Sequence, residues 1–210
     1  MTGILFDLDG TLIESLSDLM TAVNQTMVHY GFPVKTREEV RMAVGHGAWR
    51  LIADVLPESE VHRTDEILET YKKYYAACCQ EQTKPYEGVV EALEQLKKKY
   101  KIAVVSNKPD PAVKHLCAQY FGDVYALGET PDCPRKPAPD MLYKAMKEIG
   151  ADACIYVGDS DVDVLTAKNA GMPCLSVLWG FRDRDCIEAA GGTHFCEDTA
   201  KMVEMLEQMI

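Results

Sequence analysis

The sequence lacks the features that mark membrane and nucleic-acid-binding proteins. No apolar run approaches the roughly 20 residues that span a bilayer, and there is no positively charged, apolar secretory leader. Basic residues are in the minority, with a net charge of −11, and the run Lys97–Lys99 stands beside acidic residues. We therefore expect neither a membrane nor a nucleic-acid partner. An acidic protein can still bind phosphate where a local cation and a metal reverse the field.

The sequence also lacks any Cys-x-x-Cys pair, although it contains eight cysteines. This distribution predicts a reducing, cytoplasmic compartment. Several of the cysteines lie in apolar, strand-like runs, where a thiol acts as a small apolar group. We expect a structural role for all of them: Cys78, Cys79, Cys117, Cys133, Cys154, Cys174, Cys186 and Cys196.

Short apolar runs alternate with helical patterns along most of the 210 residues. The predicted strands are 3–6, 102–105, 124–127, 154–157, 174–178 and 194–196. The predicted helices are 89–99, 111–120, 139–149, 162–170 and 199–209. This alternation predicts an α/β fold with a doubly wound, mostly parallel sheet, whose ligand site lies beyond the carboxyl ends of the strands.

The pattern changes between the first two strands. From residue 15 to 83, helical stretches follow one another without a convincing strand. Because this segment leaves after the first strand and returns before the second, it can act as a lid over the strand ends. We therefore predict two domains: a catalytic core of residues 1–14 and 84–210, and an all-helical cap of residues 15–83.

The first strand ends in two aspartates, Asp7 and Asp9, followed by Gly10 and Thr11. Alternation along a strand points both carboxylates to the same side. Like charges this close require a neutralising cation or a shared proton, as a nucleophile and an acid/base group do. An Asp-Gly pair between apolar residues is equally typical of a plain hairpin turn.

Two further strand-end segments offer phosphate contacts. Ser106 and Asn107 close the second strand and can donate hydrogen bonds to phosphate oxygens, although a simple turn explains them as well. Lys136 lies between prolines ahead of a helix, which holds its cation rigidly. The ordinary alternative is a solvated surface lysine.

Three acids spaced by two follow the fourth strand: Asp159, Asp161 and Asp163. Hard oxygen ligands of this kind suit Mg²⁺. The competing interpretation is helix capping, in which Asp159 or Ser160 caps the helix and the other acids favour its dipole.

In their order and placement, these segments resemble those of the haloacid dehalogenase-type phosphatases, specifically the phosphoglycolate phosphatase-like branch with a helical cap after the first strand. The resemblance rests on Asp-x-Asp-Gly-Thr at 7–11 and Gly-Asp-x-x-x-Asp at 158–163, and it covers essentially the whole chain. It implies a Rossmann-like core and magnesium-dependent hydrolysis of a small phosphorylated metabolite, such as a phosphoglycolate-like monoester. The sequence leaves the oligomeric state open between a monomer and a homodimer.

The resemblance also implies roles for individual residues. Asp7 would attack phosphorus through its carboxylate and form an aspartyl-phosphate. Asp9 would protonate the leaving oxygen and then activate the hydrolytic water, with Thr11 positioning that aspartate. Ser106, with Asn107 nearby, would hold the transferring phosphoryl group.

By the same resemblance, Mg²⁺ would bind Asp7, the backbone carbonyl of Asp9, and Asp159, with Asp163 supporting the metal site from behind and Lys136 balancing charge. With Asp9 protonated, three carboxylates face one lysine, which leaves about −2 to repel a phosphate dianion. The charge count therefore predicts that the metal is obligatory.

The helical segment and the fifth strand add further candidates. The glycine-flanked turn at 45–47 resembles a cap loop that is lowered onto the active site, so His46 or Arg50 is expected to contact the non-phosphate end of the substrate. A surface histidine and a helix-face arginine are equally ordinary. The segment Trp179–Arg182 can border the pocket, although packing against the core explains Trp179 as well.

Other functions share parts of this pattern. A sugar-phosphate mutase of the β-phosphoglucomutase type would carry an acid/base histidine where this chain has Leu19, and dehalogenases lack the second aspartate, here Asp9. Pyrophosphate and nucleotides remain alternative substrates. A regulatory relative that binds phosphate without turnover is disfavoured by the complete set of acids and Lys136.

Overall fold

The computed structural model describes residues 2–78 and 81–210. Cys79, expected to be structural, lies outside these residues. The chain divides into two compact units, one formed by Met1–Ile13 with Pro85–Ile210 and the other by Glu14–Lys84. Two short strands, β2 (Ile13–Glu14) and β3 (Lys84–Pro85), pair at the points where the chain passes between the units.

A six-stranded sheet forms the centre of the first unit. Its strands are β1 (Thr2–Phe6), β4 (Lys101–Pro109), β5 (Tyr125–Glu129), β6 (Ala153–Gly158), β7 (Cys174–Val177) and β8 (His194–Cys196). Their order is β5-β4-β1-β6-β7-β8, and every pairing is parallel. The predicted fold class is confirmed. Since β1 lies between β4 and β6, residues after these three strands meet at one edge of the sheet.

Helices cover both faces of this sheet. They are α5 (Val89–Leu96), α6 (Asp110–Phe121), α7 (Asp140–Glu148), α8 (Asp161–Ala170), α9 (Arg184–Ala189) and α10 (Thr199–Met209). The alternation of β1 explains the layers, because Ile4 and Phe6 pack in a core cluster with α5, α6 and α10. Leu5 points the other way, into a cluster with α7 and Ala167 of α8. Both faces of β1 are therefore apolar and buried, as in doubly wound sheets.

The second unit is helical. It contains α1 (Leu16–His29), α2 (Arg37–Ala43), α3 (Ala48–Val55), a 3₁₀ helix (Glu58–Arg63) and α4 (Thr64–Cys78). Thr36 begins α2 with a capping box, in which its hydroxyl accepts from the Glu39 amide and the Glu39 carboxylate accepts from the Thr36 amide. The buried carboxylate of Asp18 on α1 accepts hydrogen bonds from the backbone amides of Gln82 and Thr83 and from the Thr83 hydroxyl. This carboxylate ties the end of the unit to its first helix.

Four elements differ most from the sequence prediction. β4 continues to Pro109, four residues past the predicted end, and so carries Ser106 and Asn107 within the strand. α9 was not predicted because six residues are too few for helical periodicity to be visible. β2 and β3 have two residues each and leave no pattern at all.

The described cysteines are free thiols. Burial raises the pKa of Cys154 to about 11 and that of Cys174 to about 12, so these thiols stay protonated and unreactive at neutral pH. This agrees with a structural role. Within the described residues, every helix is too short or too polar to cross a bilayer.

Candidate active site

Three of the predicted site residues lie at the carboxyl edge of the sheet. Asp7 follows β1, Ser106 belongs to the end of β4, and Asp159 follows β6. The Asp7 amide donates to the carbonyl of Val157 at 2.8 Å, which extends the β1–β6 pairing by one residue. This bond brings the first aspartate directly beside the strand that delivers Asp159.

A tight turn after Asp7 shapes the next residues. The carbonyl of Leu8 accepts from the amides of Leu12 and Ile13, at 2.9 and 3.0 Å. Gly10 has a φ of +85°, and a Cβ there would overlap the carboxylate of Asp159. The turn therefore needs glycine for two reasons, its left-handed backbone and the close approach of the second acid. Asp9 and Gly10 form a turn, as expected for an Asp-Gly pair, and Asp7 and Asp9 also lie at the site.

Three buried carboxylates converge at this edge. One oxygen from each of Asp7, Asp159 and Asp163 lies within 4.8 Å of the other two. Such an arrangement is costly unless a cation compensates it.

Asp163 differs from the other two acids because its oxygens are saturated. Its Oδ1 accepts from the Lys136 ammonium at 2.7 Å and the Tyr156 hydroxyl at 2.9 Å. Its Oδ2 accepts from the Asp159 amide, the Ser160 amide and the Ser160 hydroxyl, at 3.2, 3.1 and 2.6 Å. These donors occupy the lone pairs of both oxygens. Asp163 therefore organises its neighbours and has no oxygen available for a cation.

Lys136 is the cation at the centre of the cluster. Its ammonium lies 2.9 Å from Asp7 Oδ1 and donates to the Tyr156 hydroxyl at 2.8 Å, in addition to its bond with Asp163. The Asn107 amide group fixes the lysine backbone, because its Nδ2 donates to the Lys136 carbonyl and its Oδ1 accepts from the Lys136 amide. Asn107 was predicted to lie near the phosphoryl group. That placement stays a prediction, and the side chain of Asn107 also positions the lysine.

Burial controls the protonation of these acids. It raises the pKa of Asp7 from 3.8 to about 7, against the attraction of Lys136. Burial, with repulsion from Asp163 and Asp7, also raises the pKa of Asp159 well above its usual range. For Asp163, Lys136 and the hydrogen bonds outweigh burial and lower the pKa. Two of the three carboxylates thus resist ionisation until more positive charge arrives.

A second lysine, which was not predicted as a site residue from the sequence, pairs with Asp9. The side chain of Lys108 is buried, and its ammonium lies 2.7 Å from Asp9 Oδ1. Lys108 could have been predicted as a site residue, because alternate residues of β4 lie on one side and this places Lys108 on the side of Ser106. The predicted end of this strand at Val105 hid that relation.

Thr11 and Ser106 are both buried in the site. The Thr11 hydroxyl donates to Asp159 Oδ1 at 3.2 Å. This contact was not predicted from the sequence. The Ser106 hydroxyl accepts from the Lys108 amide at 3.4 Å. The predicted contacts of Thr11 with Asp9 and of Ser106 with a phosphoryl group stay predictions.

The two cap candidates belong to the helical unit. Arg50 on α3 pairs with the Asp54 carboxylate one turn later, at 2.9 Å, and its side chain is exposed. His46 lies in the turn before α3. Their predicted contact with substrate stays a prediction.

Comparison with known proteins adds independent information. The model of the family described as haloacid dehalogenase-like hydrolase matches residues 4–177. A phosphoglycolate phosphatase of Vibrio parahaemolyticus is 33% identical over 218 residues, covering 97% of this chain and 95% of the relative. A phosphoglycolate phosphatase of Aquifex aeolicus is 34% identical over 189 residues, with 86% of each chain covered.

A solved structure has the same fold over nearly its whole length. It is a candidate phosphoglycolate phosphatase from Lactobacillus delbrueckii subsp. bulgaricus, with a TM-score of 0.89 and 31% identity. The alignment covers 96% of each chain.

Proposed function

The chain belongs to the haloacid dehalogenase-like hydrolase family, and we propose that it is a magnesium-dependent phosphatase that cleaves a small phosphorylated metabolite through a phosphoryl group carried on Asp7. Its curated relatives are phosphoglycolate phosphatases, which supports phosphoric monoester hydrolysis. The observation that carries the proposal is the setting of Asp7. Its carboxylate is buried, 2.9 Å from the Lys136 ammonium and within reach of Asp159.

The donor set fits a divalent cation. Asp7 and Asp159 are hard oxygen donors with raised pKa values, which is how buried carboxylates behave when compensating charge is missing. These two carboxylates and the backbone carbonyl of Asp9 would hold Mg²⁺, while Asp163 keeps the surrounding amides in place. Bound Mg²⁺ would neutralise the acids and draw negative charge away from a phosphoryl oxygen.

In the first chemical step, an oxygen of Asp7 forms a bond to phosphorus while the bond from phosphorus to the leaving oxygen breaks. The electron pair of the broken bond stays on the leaving oxygen, which takes a proton from Asp9. The products of this step are an alcohol and an acyl-phosphate on Asp7. A carboxylate suits this task because its acyl-phosphate is readily hydrolysed.

In the second step, Asp9 is ionised and accepts a proton from a water molecule. The water oxygen attacks phosphorus, the bond to Asp7 breaks, and its electron pair returns to the carboxylate. Inorganic phosphate leaves, and Asp9 keeps the proton that it needs for the next turnover. The same residue thus acts once as an acid and once as a base.

Two lysines and a serine assist both steps. Lys136 neutralises charge on Asp7, and Ser106 offers a buried hydroxyl to the phosphoryl group. Counting Lys108 brings the site, with Asp9 protonated, to roughly −1. A bound divalent cation would make the site positive, which would favour binding of a phosphate dianion.

We infer that the helical unit, residues 14–84, serves as a cap that limits the leaving group to small molecules, with a phosphoglycolate-like monoester as the first candidate. His46 and Arg50 would contact its non-phosphate end. A substrate panel measured with alanine at both positions tests this, since an unchanged ranking of substrates removes the idea. We also infer a cytoplasmic location, in keeping with the scattered cysteines.

Mutase activity is the less favoured alternative. Leu19 is buried and apolar on α1, so the position that carries the acid/base histidine in β-phosphoglucomutases offers no proton-transfer group. Hydrolysis needs no proton-transfer group at this position, because Asp9 makes both proton transfers, the second with water.

The proposal is tested by a kinetic screen. Phosphorylated metabolites, including phosphoglycolate, pyrophosphate, nucleotides and sugar phosphates, are ranked by kcat/KM with and without Mg²⁺. We expect phosphate release that depends on Mg²⁺ and is abolished by Asp7→Asn, because an amide cannot form an acyl-phosphate. No release from any substrate in any metal would favour a binding role instead.

A further inference from the structure

The segment that follows β7 has no place in the chemistry above, yet it lies against the site. β7 pairs with β6, the strand that delivers Asp159. We call residues Trp179–Arg182 the β7 turn. Gly180 and Phe181 lie directly against the Asp159 carboxylate, whereas Trp179 and Arg182 contact Thr11 and Asp161.

Gly180 gives the closest approach. A Cβ at this position would overlap the Cβ and Oδ2 of Asp159 and would lie 2.5 Å from the carbonyl oxygen of Gly10. The backbone of Gly180 is not in the left-handed region, so space alone requires glycine here. Two glycines, Gly10 and Gly180, therefore pack closely against the Asp159 carboxylate.

The next residue supplies a hydrogen bond. The Phe181 amide donates to Asp159 Oδ2 at 2.6 Å, and its side chain is buried. Asp159 Oδ1 accepts from the Thr11 hydroxyl at 3.2 Å. Each oxygen thus has one donor and keeps lone-pair capacity for a cation. Two donors on opposite oxygens fix the plane of the carboxylate.

The first and last residues of the β7 turn, Trp179 and Arg182, contact the segments that follow β1 and β6. The Trp179 indole donates to the carbonyl of Thr11 at 3.1 Å. The buried side chain of Arg182 lies 3.5 Å from the carboxylate of Asp161, at the start of α8. One end therefore holds the turn that follows β1, and the other end holds the turn that follows β6.

We propose that the β7 turn is a positioning element that sets the metal affinity of the site by fixing the Asp159 carboxylate toward Asp7. This inference rests on the proposed metal site. Donors behind metal ligands commonly contribute about 10–100-fold to metal affinity. The Phe181 amide of the β7 turn is such a donor, and Gly180 packs against the same carboxylate.

The test is calorimetric titration of the metal-free protein with Mg²⁺. Gly180→Ala should weaken Mg²⁺ binding by about 10–100-fold, because the added methyl group displaces either Asp159 or the Phe181 amide. Its activity should return toward that of the unmodified protein when Mg²⁺ is raised to saturation, with little change in KM for the phosphorylated substrate. A general loss of structure would not be rescued in this way.

Gly192→Ala is the matched control. A Cβ at Gly192 meets the side chain of Ile187 at 2.6 Å, so it is also crowded, but it lies outside the β7 turn. It should lower thermal stability and leave the Mg²⁺ affinity unchanged. Trp179→Phe is a milder second variant that keeps a ring and loses the bond to Thr11, and it should weaken Mg²⁺ binding several-fold.

The outcomes separate this inference from the proposed function. Unchanged Mg²⁺ affinity in both Gly180→Ala and Trp179→Phe overturns the positioning role, as does equal weakening in Gly192→Ala. If Gly180→Ala does not fold, Trp179→Phe decides alone. Absence of Mg²⁺ binding in the unmodified protein would instead reject the metal site itself.

Discussion

Raising the pH should destabilise the metal-free protein, because folding buries Asp7 where its protonated form is favoured. Burial raises the pKa of Asp7 from 3.8 to about 7, although Lys136 opposes it. Between these values the folded protein retains a proton that the unfolded chain has released. The free energy of unfolding therefore falls as the pH rises. The stabilising contribution is complete below 3.8 and is lost as the pH passes about 7.

The size of this effect follows from the shift. One pKa unit corresponds to about 1.4 kcal/mol, so Asp7 accounts for at most about 3 kcal/mol between about pH 5 and about pH 7.5. Asp159 acts in the same direction because its pKa is also raised by burial. Asp163 has a lowered pKa, so its opposite contribution changes only at more acidic pH. The net trend above about pH 5 is a loss of stability.

Urea unfolding in EDTA at about pH 5 and about pH 7.5 measures this loss. Asp7→Asn is the matched variant, and its stability should fall much less over the same interval. Mg²⁺ should restore the stability of the unmodified protein at the higher pH, because the cation compensates the ionised carboxylates. The reasoning is refuted if the unmodified protein gains stability over this interval, or if Asp7→Asn changes with pH to the same extent.

Three further substitutions test individual contacts. Lys108→Met should remove the buried ammonium that lies 2.7 Å from Asp9 Oδ1 and lower kcat/KM by about 100-fold or more, with partial recovery in Lys108→Arg. Equal activity in both variants would contradict this. Asp163→Asn should lower the free energy of unfolding by about 3–5 kcal/mol, since it breaks a buried pair with Lys136, and a loss below about 1 kcal/mol in urea would argue against it. Asp18→Asn should lower the free energy of unfolding by about 1–3 kcal/mol in the same assay, because the Asp18 carboxylate accepts several hydrogen bonds from Gln82 and Thr83. An unchanged free energy of unfolding would show that these bonds do not stabilise the helical unit.

Much of the fold was predictable because its strands are short apolar runs that end in acids or turn residues. The helices on the two faces of β1 follow the alternation of Ile4, Leu5 and Phe6, which the sequence displays directly. α9 was missed because six residues complete too few turns to reveal a period. The extension of β4 to Pro109 was missed because polar residues replace apolar ones where the strand enters the site.

The acidic residues of the site were predictable from the sequence, whereas the residues that position them were less so. Asp7 and Asp159 stand at strand ends with a recognisable spacing. The bond from Asn107 to the Lys136 backbone joins residues that are distant in sequence, and no local pattern encodes it. The roles of Lys108 and Gly180 depend on which strands are neighbours, so they emerge only when β4 lies beside β1 and β7 lies beside β6.

Identification of the phosphorylated residue tests the central claim most directly. The protein is mixed with a substrate found in the kinetic screen, quenched in acid during turnover, digested and analysed by mass spectrometry. We predict one added phosphoryl group on the peptide that carries Asp7, with none in Asp7→Asn. Phosphate release without any phosphorylated Asp7 peptide, or with the phosphoryl group on another residue, would contradict the mechanism.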